Sequence, residues 1–376
     1  MNIALDARLA YYRRYSGIGQ YIVQLAERLP GLDRDRRYTI LHSRKDRTPP
    51  HHPAARLQAL WTPSHHRAEQ LALPIELARL RLDLLHSPDF IPPFMGRFRR
   101  VITVHDLNFL YYPQFLTTES RRYYNDQIER AVRVADHILA DSHATRLDLI
   151  KLLNVPDEKI TVVWLAPQVS VYRILEPAEI AAARDRLKLP DRFILFAGTL
   201  EPRKNVAGLL RAYRLLLDRL AEFPDLILAG SRGWLFDETR KLIAELRLTD
   251  RVRWIDSPPD ADLAALYNLA SVFVLPSHYE GFGLTVLEAM ACGAPVIISD
   301  RGSLPEIAGG AALDIDPDDP VELAEAIERV LTDDALQREL RRKGLDRVKE
   351  FSWERCARET LAVYQHVLGE SVSHRP

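Results

Sequence analysis

Short, uninterrupted apolar runs narrow the folds open to this chain more than any other feature. They fall at residues 2–5, 39–41, 84–85, 101–104, 138–140 and 160–164, and stretches of helical periodicity, including 20–28 and 120–135, separate most of them. A strand with one wet face alternates polar and apolar side chains, whereas a strand apolar at every position must be covered on both faces. Such strands alternating with helices predict a parallel sheet of the α/β class. The second half repeats the pattern at 193–197, 226–230, 252–255, 271–275, 295–299 and 311–315. With 376 residues, two doubly wound, Rossmann-like domains are expected. Periodicity lapses over 168–176, between Pro167 and Pro177. The expected domains are therefore 1–170 and 171–352, followed by a terminal helix in 353–376 that opens on a serine N-cap.

The second half also carries the most informative turn. Residues 276–293, PSHYEGFGLTVLEAMACG, join the run 271–275 to a helix that begins near Leu284 and ends before Gly293 and Pro295. The N–H groups of Phe282, Gly283, Leu284 and Thr285 then lack intrahelical acceptors, and with the helix dipole they favour an anion. Gly281 and Gly283 let a ligand come close to the backbone. Glu280 precedes this helix start and Glu288 follows about one turn into it. Carboxylates accept hydrogen bonds from hydroxyls, so two of them flanking an anion site suit a ligand with hydroxyls and phosphate, a sugar nucleotide. Taken singly, each feature also fits an ordinary α/β turn, and Glu288 a solvated helix face.

Arg203-Lys204-Asn205, after the run 193–197, sets two cations beside the next helix start, where they oppose the dipole. A local conflict of this kind points to function. A diphosphate would resolve it, because Arg binds phosphate oxygens in pairs and Lys adds a point charge. In the first half, His105-Asp106 closes the run 101–104, at the strand end where open α/β sheets bind ligands. A histidine there can equally be a plain strand cap. Ser16-Gly17-Ile18-Gly19 falls where a strand should pass into a helix, so Gly17 and Gly19 either offer N–H groups to phosphate or make a tight turn. Asp141 and Ser142 read as a strand end and an N-cap.

Glu280-x7-Glu288 around Gly281-Phe282-Gly283 resembles the signature of the retaining glycosyltransferases of family 4, and the likeness extends over essentially the whole chain. The resemblance implies the GT-B architecture, two Rossmann-like domains facing a central cleft. The first would bind the acceptor, the second the nucleotide sugar, and the last helix would cross back to the first. It implies that Arg203 and Lys204 clamp the donor diphosphate, faced by Gly17 and Gly19, and that Phe282, Gly283, Leu284 and Thr285 form its helix-start site. Glu280 would hold sugar hydroxyls and Glu288 ribose hydroxyls. His105 would position the sugar and stabilise the transition state, with Asp106 orienting it or helping to bind the acceptor. No cofactor and no metal is expected, the nucleoside diphosphate sugar being a substrate. The stretch VHDLNFLYYP looks most like mannosyltransferases that build surface polysaccharides. That favours GDP-mannose as donor and a glycan or lipid-linked glycan as acceptor. Asp256-Ser257-Pro258 stands where relatives commonly have a glycine near the base, so the base is left open.

Asp314-Ile315-Asp316 copies the metal-binding Asp-x-Asp of the other large glycosyltransferase architecture. Asp319, Pro320 and Glu322 follow it, however, in the pattern of N-cap, first-turn proline and capping box. A net charge of −1 leaves no footprint for nucleic acid. Cys292 and Cys356 lack metal spacing and fit buried apolar roles in a reducing compartment. No apolar run approaches the ~20 residues of a membrane span and no signal peptide is recognisable, so a cytoplasmic protein is expected. Aromatic residues from Phe109 to Tyr124 beside Arg97, Arg99 and Arg100 suit an acceptor groove, peripheral contact with anionic lipid at a membrane surface, or a plain core with a solvated basic face. A GT-B sugar-nucleotide epimerase or a non-enzymatic nucleotide-sugar sensor would share the nucleotide site. A glycoside hydrolase would share only the carboxylates.

Overall fold

A computed structural model describes residues 1–12, 17–66, 68–115, 118–219, 223–233 and 236–369. The chain divides into two compact units, Met1–Leu165 with Ser352–Pro376, and Ala166–Phe351. The junction falls at 165/166 rather than 170/171, and the return at 351/352 rather than 352/353. Side-chain bonds of Asn268 explain the first shift. Its Oδ1 accepts from Leu175 N at 3.0 Å and its Nδ2 donates to Arg173 O at 2.9 Å, fastening the connection to the second unit.

The first unit is built on β1 (Asn2–Asp6), β2 (Arg37–Ser43), β3 (Ala55–Leu60), β4 (Leu84–Ser87), β5 (Arg99–Val104), β6 (His137–Ala140) and β7 (Ile160–Val162). They pair in the order β3-β2-β1-β4-β5-β6-β7, all parallel. The second unit holds β8 (Phe193–Ala197), β9 (Asp225–Ala229), β10 (Val252–Ile255), β11 (Val272–Leu275), β12 (Val296–Ser299) and β13 (Leu313–Ile315). Their order is β10-β9-β8-β11-β12-β13, again all parallel. In each sheet the winding reverses beside the first-formed strand, between β1 and β4 and between β8 and β11. Such switch points leave a crevice at the carboxyl ends of the strands.

The central strands β4, β8, β11 and β12 are buried at every residue, and β8 and β11 are apolar throughout, as cover on both faces requires. Burying each of the large side chains in β8 contributes about 1.5–3 kcal/mol. The strand β3 escaped sequence analysis because it is the sheet edge, and ARLQAL keeps only Leu60 buried. The first unit is closed by the helix Trp353–Val367, which packs on the helix Gly17–Leu32. The contact is more than apolar. Tyr364 Oη lies 2.6 Å from His86 Nδ1, His86 Nε2 lies 2.8 Å from Thr103 Oγ1, and Thr103 Oγ1 lies 2.9 Å from Tyr21 Oη, all fully buried. Burial and the nearby charge of His105 hold His86 neutral, its pKa lowered to about 3.

Phe109 and Tyr124 join this unit's core; Phe109 stacks on both Tyr124 and Phe90, and the Tyr124 and Phe90 rings are tilted against each other. Arg99 pairs with Asp136, and Arg100 donates to the carbonyls of Pro93, Phe98 and Gly96, so both support the fold. Phe115 and residues 119–123 contribute no described side chain. Cys292 and Cys356 are buried free thiols. No described helix is long and apolar enough to cross a membrane.

Candidate active site

At the switch point of the second sheet, two loops meet. One follows β8 and contains the short 3-10 turn Pro202–Lys204; the other follows β11 and leads to the helix Leu284–Ala291. Glu280, only 7% exposed, binds both cations of the first loop. Its Oε2 accepts from Arg203 Nη1 at 2.8 Å, and its Oε1 from Lys204 Nζ at 2.6 Å and Ser277 Oγ at 2.7 Å. Arg203 also donates to the Tyr279 carbonyl at 2.8 Å and, through Nη2, to Glu201 at 2.6 Å. Burial alone would raise the Glu280 pKa, but Arg203, Lys204 and the Ser277 hydroxyl outweigh it and bring it down to about 2. Two cations and two carboxylates thus balance one another here.

The backbone is shaped around this cluster. Asn205 takes the left-handed conformation (φ 53°), and its Oδ1 accepts from Gly208 N at 3.1 Å in the next helix's first turn. Ser303 Oγ, fully buried, donates towards the carbonyls of Glu280 (2.9 Å) and Phe282 (2.8 Å), fastening the second loop from behind. A side chain at Gly302 (φ 60°) would meet the Glu280 carbonyl oxygen at 2.8 Å. Gly283 adopts φ 103° at the N-cap and offers no side-chain acceptor. Accordingly the N–H groups of Phe282, Gly283, Leu284 and Thr285 donate to no described group, which leaves an open helix start beside Lys204 and Glu280.

Glu288 lies on the same helix in different surroundings. Burial and the carboxylate of Asp260 push its pKa up to about 8, against a weak opposing bond from Tyr267 Oη at 3.4 Å. It is therefore mainly a neutral carboxylic acid near pH 7, which can donate as well as accept. In the loop after β10, Ser257 takes φ 45°, in the left-handed region that favours glycine. Its neighbour Asp256 is exposed and lies 3.8 Å from Arg232 Nε, whose guanidinium stacks on Trp254.

In the first unit, His105 follows β5, with its side chain 11% exposed. Its Nδ1 lies 2.7 Å from Asp141 Oδ2 and its Nε2 2.7 Å from the Pro88 carbonyl oxygen. A carbonyl only accepts, so Nε2 carries a hydrogen; facing a carboxylate as well, the ring is held as imidazolium. Burial opposes the charge, but Asp141, then Asp89 and the Pro88 carbonyl, raise its pKa to about 9. The orienting carboxylate is Asp141, not Asp106. Asp106 Oδ1 accepts from its own loop, from Asn108 N at 3.0 Å and Nδ2 at 2.7 Å. Ser142 does cap the helix His143–Leu153.

Two further expectations are corrected. Gly17 and Gly19 are not in a turn directly after β1; the short helix Arg8–Tyr12 intervenes, and both glycines belong to the first turn of the helix Gly17–Leu32. Ser16 lies outside the described residues. Glu322 completes no capping box, for although Asp319 caps the helix Pro320–Thr332 as expected, Glu322 Oε2 accepts from Asp316 N. Asp316 itself accepts from Arg301 at 2.8 Å. Sequence analysis missed Ser277, Ser303 and Asp141 among the site residues, since a buried serine or strand-end aspartate carries no pattern of its own.

Two doubly wound parallel sheets, each with polar side chains gathered at its switch point, form the GT-B architecture. Sucrose-phosphate synthase from Thermosynechococcus elongatus superposes with a TM-score of 0.78 at 24% identity, covering 99% of this chain and 100% of that one. Residues 179–347 match the family described as Glycosyl transferases group 1, and residues 15–165 match Glycosyltransferase Family 4. The O-antigen chain mannosyltransferase B of Escherichia coli is 37% identical over 284 residues, 75% of this chain and 74% of the relative. The serotype-specific mannosyltransferase WbdA of Escherichia coli is 31% identical over 331 residues; the match takes in 81% of this chain but only 39% of WbdA. The chain belongs to the family 4 glycosyltransferases and is a glycosyltransferase enzyme.

Proposed function

We propose that the protein transfers mannose from GDP-mannose to a glycan or lipid-linked glycan, with retention of anomeric configuration and without a metal ion. Support for the sugar comes from the mannosyltransferases it resembles. The observation that carries the mechanism is the pairing of Arg203 and Lys204 on Glu280 near a helix start whose N–H groups at 282–285 donate to no described protein group. In the transfer, the bond from the anomeric carbon to the diphosphate oxygen breaks and a bond to the acceptor oxygen forms on the same face. The acceptor hydroxyl's proton passes to the departing phosphate oxygen. Negative charge accumulates on the diphosphate, where two cations and an open helix start stabilise it. As the diphosphate takes a share of Arg203 and Lys204, Glu280 is released to accept from sugar hydroxyls. The Glu288 carboxyl serves the ribose hydroxyls. On the first unit, the groups available to the donor would be the helix start at Gly17 and Gly19 and the cationic His105. Holding donor and acceptor together supplies the remainder of the rate enhancement.

A panel of nucleotide sugars incubated with the protein and read by mass spectrometry tests this reading. Slow release of nucleoside diphosphate from GDP-mannose without acceptor, accelerated by mannosides, is the expected result. An isomerised donor would replace it with an epimerase, and tight binding without turnover with a sensor.

A further inference from the structure

A second polar site lies in the first unit, at the switch point between β1 and β4. Asp6 ends β1 and Ser87 ends β4, and with Arg8, Ser64, Glu69 and Asp89 they line a cavity of about 20 Å³. A space of that size holds one water, hydroxyl or hydroxymethyl group, not a sugar ring. Its charge is set by a closed network. Arg8, 2% exposed, donates from Nε and Nη2 to Asp6, from Nη2 to Glu69 at 2.6 Å, and from Nη1 to the Thr62 carbonyl at 3.0 Å. Every nitrogen of the one guanidinium is thus engaged by the protein, while three carboxylates surround the cavity.

The hydroxyls of Ser64 and Ser87 lack this provision. Both oxygens are buried with no hydrogen-bond partner, and Ser87 is only 3% exposed. Buried hydroxyls left unpaired are costly, and they are satisfied when a polar group enters. Pro88, which follows Ser87 in the cavity wall, gives its carbonyl to His105 Nε2. The cavity and the expected catalytic histidine are therefore joined through one residue.

We propose that this cavity receives a single uncharged hydroxyl or hydroxymethyl group of the acceptor sugar, hydrogen-bonded by Ser87 and Ser64, and that it rejects a phosphorylated acceptor end. Among the described residues the cavity wall holds three carboxylates against one guanidinium, four of whose five N–H groups the protein already binds, and this excess of negative charge repels a phosphate. The inference rests on the acceptor being a glycan.

Saturation-transfer NMR on the full chain in the presence of GDP tests it, with methyl α-mannoside and mannose 6-phosphate as probes. Methyl α-mannoside should bind, and mannose 6-phosphate at least ~10-fold more weakly. Ser87→Val, which fills the cavity, should weaken methyl α-mannoside by ~10-fold or more, and Ser87→Ala by ~3-fold or more, with GDP affinity retained in both. Ser87→Ala removes only one oxygen and serves if the valine variant does not fold. Equal binding of both probes, no binding of methyl α-mannoside, or insensitivity to both Ser87 variants would overturn the proposal. The donor panel is read separately. Failure of GDP-mannose turnover with Ser87-dependent mannoside binding would remove the proposed function and leave this site standing.

Discussion

The ammonium of Lys204 sits 2.6 Å from one oxygen of Glu280. The charge expected to receive a departing diphosphate is already spent on a carboxylate, so binding the donor must redistribute it. Each partner keeps the other in place until then. Turnover should fall by ~100-fold or more in Lys204→Ala and in Glu280→Ala, the loss expected for one group that stabilises transition-state charge. Thermal melting should separate the two. Glu280→Ala takes the carboxylate from the buried Lys204, while Arg203 keeps Glu201, and should cost about 3–5 kcal/mol. Near wild-type rates in both variants would contradict the assignment.

The two glutamates of the motif should respond to pH in opposite senses. Glu280 is depressed from an ordinary 4.5 to about 2, so its contribution to stability is present above 4.5 and is lost as pH falls towards 2. Glu288 is raised from 4.5 to about 8; its contribution is complete below 4.5 and is lost as pH rises through 8. Glu288→Gln, neutral at every pH, should therefore melt close to wild type at pH 5 and above it at pH 9. Melting curves of Glu288→Gln that track wild type over this whole range would refute the raised pKa.

For His105, a pKa of about 9 means the imidazolium persists through neutrality. The pH profile of kcat/KM should show no acid limb near the usual 6.5 from this group and an alkaline limb near 9. Asp141→Asn keeps an acceptor for Nδ1 but removes the charge, and should draw that limb down by about 1–2 pH units. The stabilisation from the pair is present below 6.5 and is lost as pH rises through about 9. An unmoved alkaline limb in Asp141→Asn would assign the charge to another cause.

The chain of buried hydroxyls that begins at Tyr364 predicts an effect far from any ligand. Tyr364→Phe leaves His86 Nδ1 without its 2.6 Å partner and should cost about 1–3 kcal/mol in a thermal or denaturant melt. Nucleotide affinity should not change, because the residue belongs to the other unit.

Much of this arrangement was legible beforehand where burial leaves a one-dimensional trace. Strands covered on both faces, such as β8 and β11, announce themselves as apolar runs. The Glu280 turn was legible because glycines and carboxylates stood together at a helix start. The edge strand β3 lacked the trace, since ARLQAL buries little. Asp141 lies 36 residues from His105, and only the adjacency of β5 and β6 brings them together. The glycines at 17 and 19 misled because nothing in the residues marked the short helix that follows β1. That Glu280 would hold both cations was equally hidden, as spacing reports which groups share a site and not which of them pair.

The return of the last helix to the first unit has a consequence for synthesis. The seven strands of the first unit await a helix made after the whole second unit, so a nascent chain halted at Phe351 carries a finished second unit and an unfinished first one. Tyr21, His86 and the neighbouring apolar surface would stay uncovered until the helix Trp353–Val367 had left the ribosome. Truncation before Trp353 should therefore harm the first unit most, although it removes none of that unit's seven strands.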